Sequence, residues 1–315
     1  MLFKTLSPSS ALDVLQYADI DHFRESERYA CAESIPLKAG RFAVLRASLA
    51  LQSCSLSLVR TFPRIINGYD LSGRLVIVVP MNEISSARIN GMDVGQSLIV
   101  LKGNVDCTVY EPEGRLVAIL SIRPEALHAR WLGFEQGHVL LRLPDHKLAG
   151  LQALIRGILE TAAHQSEAMR TEGLLETMQA TLFSCFDDAM CVGRADRAGA
   201  RSRYKDIVDR IDDATNTNRV SDVNCDALAD ELGISVRTMH TAVHAVCGSS
   251  PHRYSQLRRL WAVRRQLRQG APGLTVKASA LAHGFWHMGD FSRFYRDTLG
   301  ELPSQTLAGA RRLLA

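Results

Sequence analysis

The sequence predicts an α+β protein in which a sheet-rich N-terminal half precedes a purely helical C-terminal third. From Arg41 to about Ile122, short apolar runs alternate with turn residues about every 8–12 positions, which is typical of an antiparallel sandwich or barrel. After Pro144 the apolar residues recur at intervals of three and four, which indicates helices. The length of 315 residues favours two domains, since domains average ~150 residues.

Composition excludes several classes of protein. Apolar residues make up 46% of the chain and charged residues 22%, which is ordinary for a globular protein and excludes a disordered one. No apolar run approaches the roughly 18 residues of a membrane span, and no secretory signal is visible, so we expect a cytoplasmic protein without a membrane segment. The seven cysteines are scattered without a C-x-x-C pair, so we expect reduced, mostly buried thiols.

Basic residues are concentrated near the C-terminus. Residues 221–315 contain twelve lysines and arginines against seven acidic residues, whereas residues 1–220 are almost balanced, at 25 against 26. Such an excess is weak evidence by itself, because an ordinary solvated surface often has one. It is nevertheless a first indication that the C-terminal third has an anionic partner.

Turn signals divide the N-terminal half into strands. Asn90-Gly91 separates two short apolar segments and predicts a tight hairpin, because both residues tolerate a positive φ. Asn67-Gly68 and Glu113-Gly114 are further candidate turns. The apolar run from Leu98 to Leu101 is expected to end at Lys102-Gly103.

Two amphipathic helices are predicted between residues 145 and 190, with a break near His164–Met169. Their apolar stripes include Leu148 and Leu174. Each stripe could cover the sheet or pair with a second subunit, and the pattern favours neither interpretation.

A polar, arginine-rich segment follows these helices and predicts the domain boundary. We expect an N-terminal domain at 1–192, β-rich over 1–143 and helical over 145–190. The segment at 193–203 is expected to be a linker, and 204–315 a second, helical domain.

The segment Asp226–Cys247 predicts a helix-turn-helix. Leu228 and Leu232 lie on the apolar side of a short helix, and Gly233 suits the left-handed conformation that ends it. Ser235 is a good N-cap for the second helix. The outer face of this second helix is expected to consist of Val236, Arg237, His240, Thr241 and His244.

The same pattern recurs about 51 residues later, which makes it more specific than a single unit would be. Gly284 and Phe285 repeat the glycine turn and the apolar residue between the helices. Arg293 and Arg296 fall on the outer face of the second helix of this repeat.

Between the two units, Pro251–Arg268 predicts one long basic helix, because Pro251 suits a first helical turn and one side is apolar. A stiff connector of this kind would fix the separation and phase of the two units. The remaining positions include Arg258, Arg259, Arg264, Arg265 and Arg268.

Ordered motifs run through residues 205–310, about a third of the chain. They are Gly248-x-x-Pro251-x-x-Tyr254, Arg259-Leu260, Ala280-x-x-x-Gly284-Phe285, Phe291-x-Arg293-x-Tyr295-Arg296 and Leu299-Gly300-x-x-Pro303-Ser304. In these motifs the sequence resembles the AraC/XylS family of bacterial transcription regulators. A weaker similarity, over Gly284–Gly289 and Gly300–Ser304, is to the branch that includes ethanolamine-operon regulators and implies no ligand. Ser279 departs from the family pattern, which usually has Ile or Val at this position.

The resemblance implies that both recognition helices enter successive major grooves on one face of duplex DNA, about 34 Å apart. Arg293 is the leading candidate for base reading, because a guanidinium can pair with O6 and N7 of guanine. Arg296 and Ser304 would hold phosphates. The expected DNA-contacting residues are Val236, Arg237, His240, Thr241, His244, His287, Met288, Gly289, Ser292, Arg293, Arg296 and Ser304.

Some of these side chains have an alternative explanation. Any outward residue could merely be solvated. His240 and His244 form H-x-x-x-H, but neither the glutamate of a zinc protease nor a third ligand is near, so we expect no metal site. Four aromatic residues of the region are expected to pack in the core or between helices: Trp261, Trp286, Phe291 and Phe294.

The N-terminal half offers no catalytic constellation. It has no G-x-S-x-G elbow, phosphate loop or G-x-G-x-x-G, and its histidines are dispersed, so we expect no catalytic residue and no cofactor. The resemblance implies a cupin-like barrel at 1–143 that binds a small-molecule effector, with dimerisation through the helices at 145–190. No effector-contacting residue can be named from the sequence.

These observations favour a sequence-specific, DNA-binding transcription regulator, and the resemblance implies an activator. We expect it to bind double-stranded DNA as a homodimer and to be controlled by a small-molecule effector. RNA polymerase is a further candidate partner. One alternative is a ligand-independent regulator or interaction module whose N-terminal half only dimerises. A second alternative is an enzyme that its helical tail tethers to DNA. The identity of the effector and the operator sequence stay open.

Overall fold

The computed structural model describes residues 3, 5–20, 22–23, 31–38, 44–81, 86–127, 131, 136–164, 172–196, 203–217 and 225–314. Within these residues, the N-terminal part is a curled antiparallel sheet with two helices on its outer side, and the C-terminal part is entirely helical. The α+β class that the sequence predicts is therefore confirmed. No described helix combines the length and the apolar character that crossing a membrane requires.

Eleven strands of the described chain join one sheet, in which every pair is antiparallel. The main path runs β1-β3-β4-β9-β5-β8-β10-β11, with β2 on β5 and the β6–β7 hairpin on β8. Their bounds are β1 Leu12–Tyr17, β2 Cys31–Pro36, β3 Val44–Ala50, β4 Cys54–Arg60, β5 Arg64–Pro80, β6 Arg88–Ile89, β7 Met92–Asp93, β8 Leu98–Glu111, β9 Leu116–Ile122, β10 Gly137–Arg142 and β11 Arg194–Asp196.

The long strands β5 and β8 make the sheet curl. The first half of β5 pairs with β2 and its second half with β9, while β8 follows it along both halves. Ile66 from the first half and Val76 from the second line one cavity. The sheet therefore closes over an interior, as the predicted sandwich or barrel requires.

Two expected strand ends are wrong, because the glycines there form irregularities inside continuous strands. Asn67-Gly68 lies within β5, where the pairing register shifts between Asn67 and Tyr69. Gly103 has a φ of 73° within β8, which continues to Glu111. A β-bulge uses the same positive φ as a turn, so composition alone does not distinguish them. The Asn90-Gly91 hairpin is confirmed, with φ values of 51° and 84°.

Two helices, α1 (Asp145–Ala163) and α2 (Glu172–Val192), cover the outside of the sheet. Ile155 and Phe186 are fully buried in the same apolar cluster as Ile77 of β5. The sheet-covering interpretation of the two apolar stripes is therefore confirmed, while pairing with a second subunit stays a prediction. The helices end and begin on either side of the expected break, whose residues 165–169 lie outside the described part.

The segment expected to be a linker begins as a strand. Arg194–Asp196 form β11, which pairs with Leu140–Arg142 of β10. Pairing at a sheet edge satisfies backbone amides and carbonyls whatever the side chains are, so a polar composition does not exclude it. Residues 197–202 lie outside the described part, and the first helix of the C-terminal part begins at Arg203.

The C-terminal part consists of helices around two apolar cores. The helices are α3 Arg203–Thr217, α4 Cys225–Leu232, α5 Val236–Cys247, α6 Pro251–Arg268, α7 Val276–Ala282, α8 Met288–Leu299 and α9 Pro303–Leu314. The first core joins α3, α4 and α5, and the second joins α7, α8 and α9. Helix α6 contributes Tyr254 to the first core and Leu260 and Val263 to the second. The connector is thus packed into both units.

Candidate nucleic-acid interface

The first helix-turn-helix unit consists of α4 and α5. Gly233 ends α4 with a φ of 64°, and the amide of Ile234 donates to the carbonyl of Ala229, at 3.0 Å. The Ser235 hydroxyl then caps α5 by accepting from the amide of Thr238, at 3.1 Å. These local bonds satisfy helix-end groups that would otherwise lack partners, which is why this short sequence specifies the turn.

Four of the predicted contact residues of this unit are exposed on α5: Arg237, His240, Thr241 and His244. The Thr241 hydroxyl donates to the carbonyl of Arg237, at 2.9 Å. Val236 differs from the prediction, since it is half-buried and packs against the first core. As the first residue of α5, it directs an apolar side chain toward Ile234 and its neighbours in that core rather than fully outward.

The second unit, α7 and α8, has the same glycine turn, but its hydroxyl cap lies at the start of the first helix. The Thr275 hydroxyl caps α7 by accepting from the amide of Ala278, at 3.1 Å, and Gly284 has a φ of 76°. Phe285 fills the space between the helices, with its ring 5.0 Å from that of Phe291. Helix α8 begins after His287, whose side chain makes no capping hydrogen bond.

The outer face of α8 is polar and partly cationic. His287, Gly289, Arg293 and Arg296 are exposed, and so is Ser304 at the start of α9. Two other predicted contact residues, Met288 and Ser292, are half-buried, and Met288 packs against the second core.

The expectation that Trp286 packs in the core or between helices is wrong, because its side chain is 58% exposed. Phe285 already fills the interhelical space, so the next residue in the chain points away from it. Trp286 immediately precedes the recognition helix α8 and belongs with the candidate contact residues. The signal in the sequence was the pair of adjacent aromatic residues after the glycine turn, of which only one can be buried.

Two arginines of α6 form internal contacts and are not part of an exposed basic surface. Arg259 is 5% exposed, and its Nη1 donates to the carbonyl of Gly284, at 3.3 Å. Arg264 is 3% exposed and pairs with Glu301. Burial of a guanidinium needs such partners, so these two arginines fix α6 against the second unit. The expectation that Arg259 and Arg264 lie outside the buried, apolar side of α6 is therefore wrong for both.

A second polar contact secures the end of the recognition helix α8. The hydroxyls of Tyr295 and Thr306 are 2.8 Å apart, and Thr306 donates to Glu301, at 2.8 Å. Ser279, which departs from the family pattern, also has a hydrogen-bond partner. Its buried hydroxyl donates to Gln266 of α6, at 2.6 Å. A serine therefore fits this position without leaving a buried polar group unpaired.

The sheet contacts the first unit beside its recognition helix. Nη1 of Arg88 donates to the carbonyls of His244 and Ala245, at 3.2 and 3.0 Å. Tyr110 of β8 packs against the same core and approaches Gly248, the left-handed residue that ends α5. The C-terminal end of this recognition helix is thus held by the N-terminal part of the chain.

A cluster of charged groups forms a further contact between the two parts. Arg258 pairs with Glu33 of β2 and, at 3.3 Å, with Asp212 of α3. Burial raises the pKa of Asp212 to about 6, even though Arg258 favours its charged form. Burial would by itself lower the pKa of Lys205, but hydrogen bonds to Asp106 and Asp209 raise it above its ordinary value. These ionic contacts hold α3 and α6 against the sheet.

Comparisons with known proteins agree with this geometry. Residues 228–309 match the family described as "Helix-turn-helix domain". "XylDLEGF operon transcriptional activator 3" of Pseudomonas putida is 33% identical over 105 residues, which are 33% of this chain and 30% of that protein. "HTH-type transcriptional activator RhaS" of Pectobacterium atrosepticum is 33% identical over 86 residues, 27% of this chain and 30% of that protein. The chain therefore spans about 30% of the length of these curated relatives.

One solved structure matches the chain over a similar length. It is that of a probable AraC family transcriptional regulator from Rhodopseudomonas palustris CGA009, with 35% identity and a TM-score of 0.32, covering 34% of this chain and 98% of that one. The C-terminal third of the chain is a double helix-turn-helix domain, which is a DNA-binding fold. Its motifs and its relatives are those of the AraC/XylS family of transcription regulators.

Proposed function

We propose that the protein is a sequence-specific transcription regulator whose DNA binding is controlled by a small molecule bound inside the curled sheet. The observation that carries the first part is the pair of helix-turn-helix units whose cores share helix α6. Because α6 is packed into both cores, the two recognition helices keep one fixed relation, which binding to successive major grooves requires. The relatives named as transcriptional activators support the same function.

Effector control is supported by the thinness of the wall between the cavity and the first unit. Successive side chains of a strand point to opposite faces. On β5, Ile66 lines the cavity while Ile65 packs in the core of the first unit. On β8, Glu111 lines the cavity while Tyr110 packs against that core. A ligand in the cavity would therefore be one sheet layer away from the helix that reads DNA, and could favour one arrangement of α5 over another.

The proposal extends to the organisation of the chain. The part at 1–192 would sense the effector and form a homodimer through α1 and α2, and the part at 204–315 would bind DNA. RNA polymerase is a further partner of this proposal, and its site of action is bacterial chromosomal DNA in the cytoplasm. The two alternatives, a sheet that only dimerises and an enzyme tethered to DNA, differ in whether a small molecule binds and whether it is converted.

Arg293→Ala is expected to weaken binding to the cognate duplex by about 1–3 kcal/mol, with little effect on random DNA. The reason is that the exposed guanidinium of Arg293 would form two hydrogen bonds to one guanine, and alanine removes both. Fluorescence anisotropy titrations of the full chain on both duplexes, at one salt concentration, measure this difference.

The control for this prediction is Arg265→Ala. Arg265 is also exposed, but it lies on α6 near Glu33 and outside the two recognition helices. The Arg265→Ala substitution removes the same charge as Arg293→Ala. It should therefore weaken binding to the cognate and the random duplex slightly and equally, through long-range electrostatics. Equal losses for Arg293→Ala on the two duplexes would instead assign Arg293 to a phosphate contact.

A further inference from the structure

The cavity inside the curled sheet is lined mainly by apolar side chains but contains three charged groups. Its volume is about 80 Å³, and its lining includes Ile66, Val76 and Leu101 together with Arg64, Glu111 and Arg115. The three charged residues are buried, at 7%, 4% and 3% exposure. A charged cluster in such surroundings is costly unless each charge is paired, so its internal contacts decide what the cavity can hold.

Glu111 lies between the two arginines. Its Oε2 accepts from Nε of Arg64, at 2.8 Å, and its Oε1 accepts from Nη1 of Arg115, at 3.4 Å. Burial alone would raise the pKa of Glu111, but the two guanidinium groups outweigh it and hold the pKa below its ordinary value. Glu111 is therefore ionised and lies between two cations.

Arg115 is the cation whose pairing is incomplete. Nε and Nη2 of its guanidinium make no hydrogen bond within the described part of the chain, and each has less than 1 Å² of accessible surface. These two nitrogens lie on one edge of the planar group and donate in parallel, which is the edge that binds both oxygens of a carboxylate. The backbone on either side is fixed, since the Arg115 amide donates to the Thr61 hydroxyl at 2.9 Å.

We propose that a rotation of the Arg115 side chain turns this edge into the cavity, where it binds the carboxylate of a small ligand whose short apolar chain occupies the rest of the space. A ligand carboxylate supplies an acceptor for each of the two nitrogens that lack one. A cavity of about 80 Å³ is smaller than the ~150 Å³ that holds benzene in an engineered protein core, so the ligand is a short-chain acid. The proposal rests on the proposed function, because it names the chemical class of its effector.

The contact with Glu111 connects this site to the DNA-binding part. An incoming carboxylate would compete with Glu111 for Arg115, and Glu111 is the residue after Tyr110 on β8. Tyr110 lies against Gly248 at the end of α5. A shift of this strand on binding would therefore be transmitted to the end of the recognition helix.

Butyrate and its neutral isostere butyramide test the proposal by isothermal titration calorimetry on the full chain. Butyrate is expected to bind at least about tenfold more tightly than butyramide, because only the anion forms charge-assisted hydrogen bonds to the free edge of Arg115. Inorganic phosphate is expected to bind more weakly than butyrate, since it has no apolar part. Equal binding of butyrate and butyramide, no binding of butyrate, or tighter binding of phosphate would each overturn the proposal.

Variants locate the site. Arg115→Met keeps the side chain's volume and leaves the Arg64–Glu111 pair, and it should reduce butyrate affinity at least about tenfold. Arg142→Gln removes an exposed arginine of β10 and should leave butyrate affinity unchanged. Circular dichroism of ligand-free Arg115→Met shows whether this variant folds. The comparison of butyrate with butyramide tests carboxylate binding on the unmodified chain and needs no variant. Unchanged butyrate affinity in folded Arg115→Met would contradict the assignment.

Titration of the same samples with duplex DNA at low salt separates this inference from the proposed function. DNA binding without butyrate binding would overturn the ligand class and leave the DNA-binding function in place. Butyrate binding without DNA binding would support the site and overturn the function.

Discussion

Replacing Trp261 with alanine is expected to lower the free energy of unfolding by about 3–5 kcal/mol, because it opens a large cavity in a closed core. Trp261 lies on the connector helix α6 and is 2% exposed. It packs in one cluster with Phe23, Phe62 and Val117 of the N-terminal part, so its ring joins the connector to the sheet. The variant should unfold at a lower urea concentration, measured by far-ultraviolet circular dichroism.

Trp286→Ala is the matched control for this experiment. It removes the same side chain from the same helical part of the chain, but Trp286 is 58% exposed. A surface substitution of this kind usually changes stability by no more than about 0.5 kcal/mol. Similar losses in the two variants would show that Trp261 is not buried between connector and sheet. Trp286→Ala also tests the added candidate contact, since weaker duplex binding with unchanged stability would place Trp286 at the DNA.

Gly248→Ala is expected to destabilise the chain by about 2–5 kcal/mol through two separate effects. The φ of Gly248 is 66°, a left-handed conformation that costs an alanine about 1–2 kcal/mol. A Cβ atom at this position would also overlap the ring of Tyr110, and forcing additional atoms into a packed contact costs about 1–3 kcal/mol. Urea unfolding of the full chain measures the sum of the two.

Gly233→Ala separates the two effects. Gly233 has nearly the same φ, 64°, but a Cβ there would meet no atom within 4 Å, so only the backbone strain should appear. The double variant Gly248→Ala with Tyr110→Ala should recover the steric part, and its coupling energy reports the contact between sheet and recognition helix. If Gly248→Ala cost no more than Gly233→Ala, the two parts of the chain would not be in contact at this point.

The helix-turn-helix units could be predicted almost completely from the sequence. Both turns depend on a glycine with positive φ, at Gly233 and Gly284, and the first turn also has the hydroxyl cap of Ser235. Their apolar stripes follow the helical period. Both signals are local, so they survive without knowledge of distant partners. The Asn90-Gly91 hairpin was predictable for the same reason.

The cavity and its charged cluster were not predictable, because they depend on pairing between distant strands. Arg64 and Glu111 are 47 residues apart and meet only through the register of β5 with β8. No local pattern distinguishes these residues from ordinary surface charges. The continuity of β5 and β8 was missed for a related reason, since a glycine bulge and a turn use the same backbone conformation.

The sequence by itself determined that this protein has a sheet-rich part followed by two helix-turn-helix units on one connector helix. Short-range hydrogen bonds and a periodic apolar face are sufficient for that. Only the tertiary structure decided that Arg259 and Arg264 are buried in ion pairs and polar contacts and that Trp286 is exposed. It also decided that Arg115 lines an apolar cavity and that two of its guanidinium nitrogens have no hydrogen bond within the described part of the chain. The reason is that the burial of a long side chain is determined by the partners that distant segments bring to it, and these partners leave no trace in its immediate sequence.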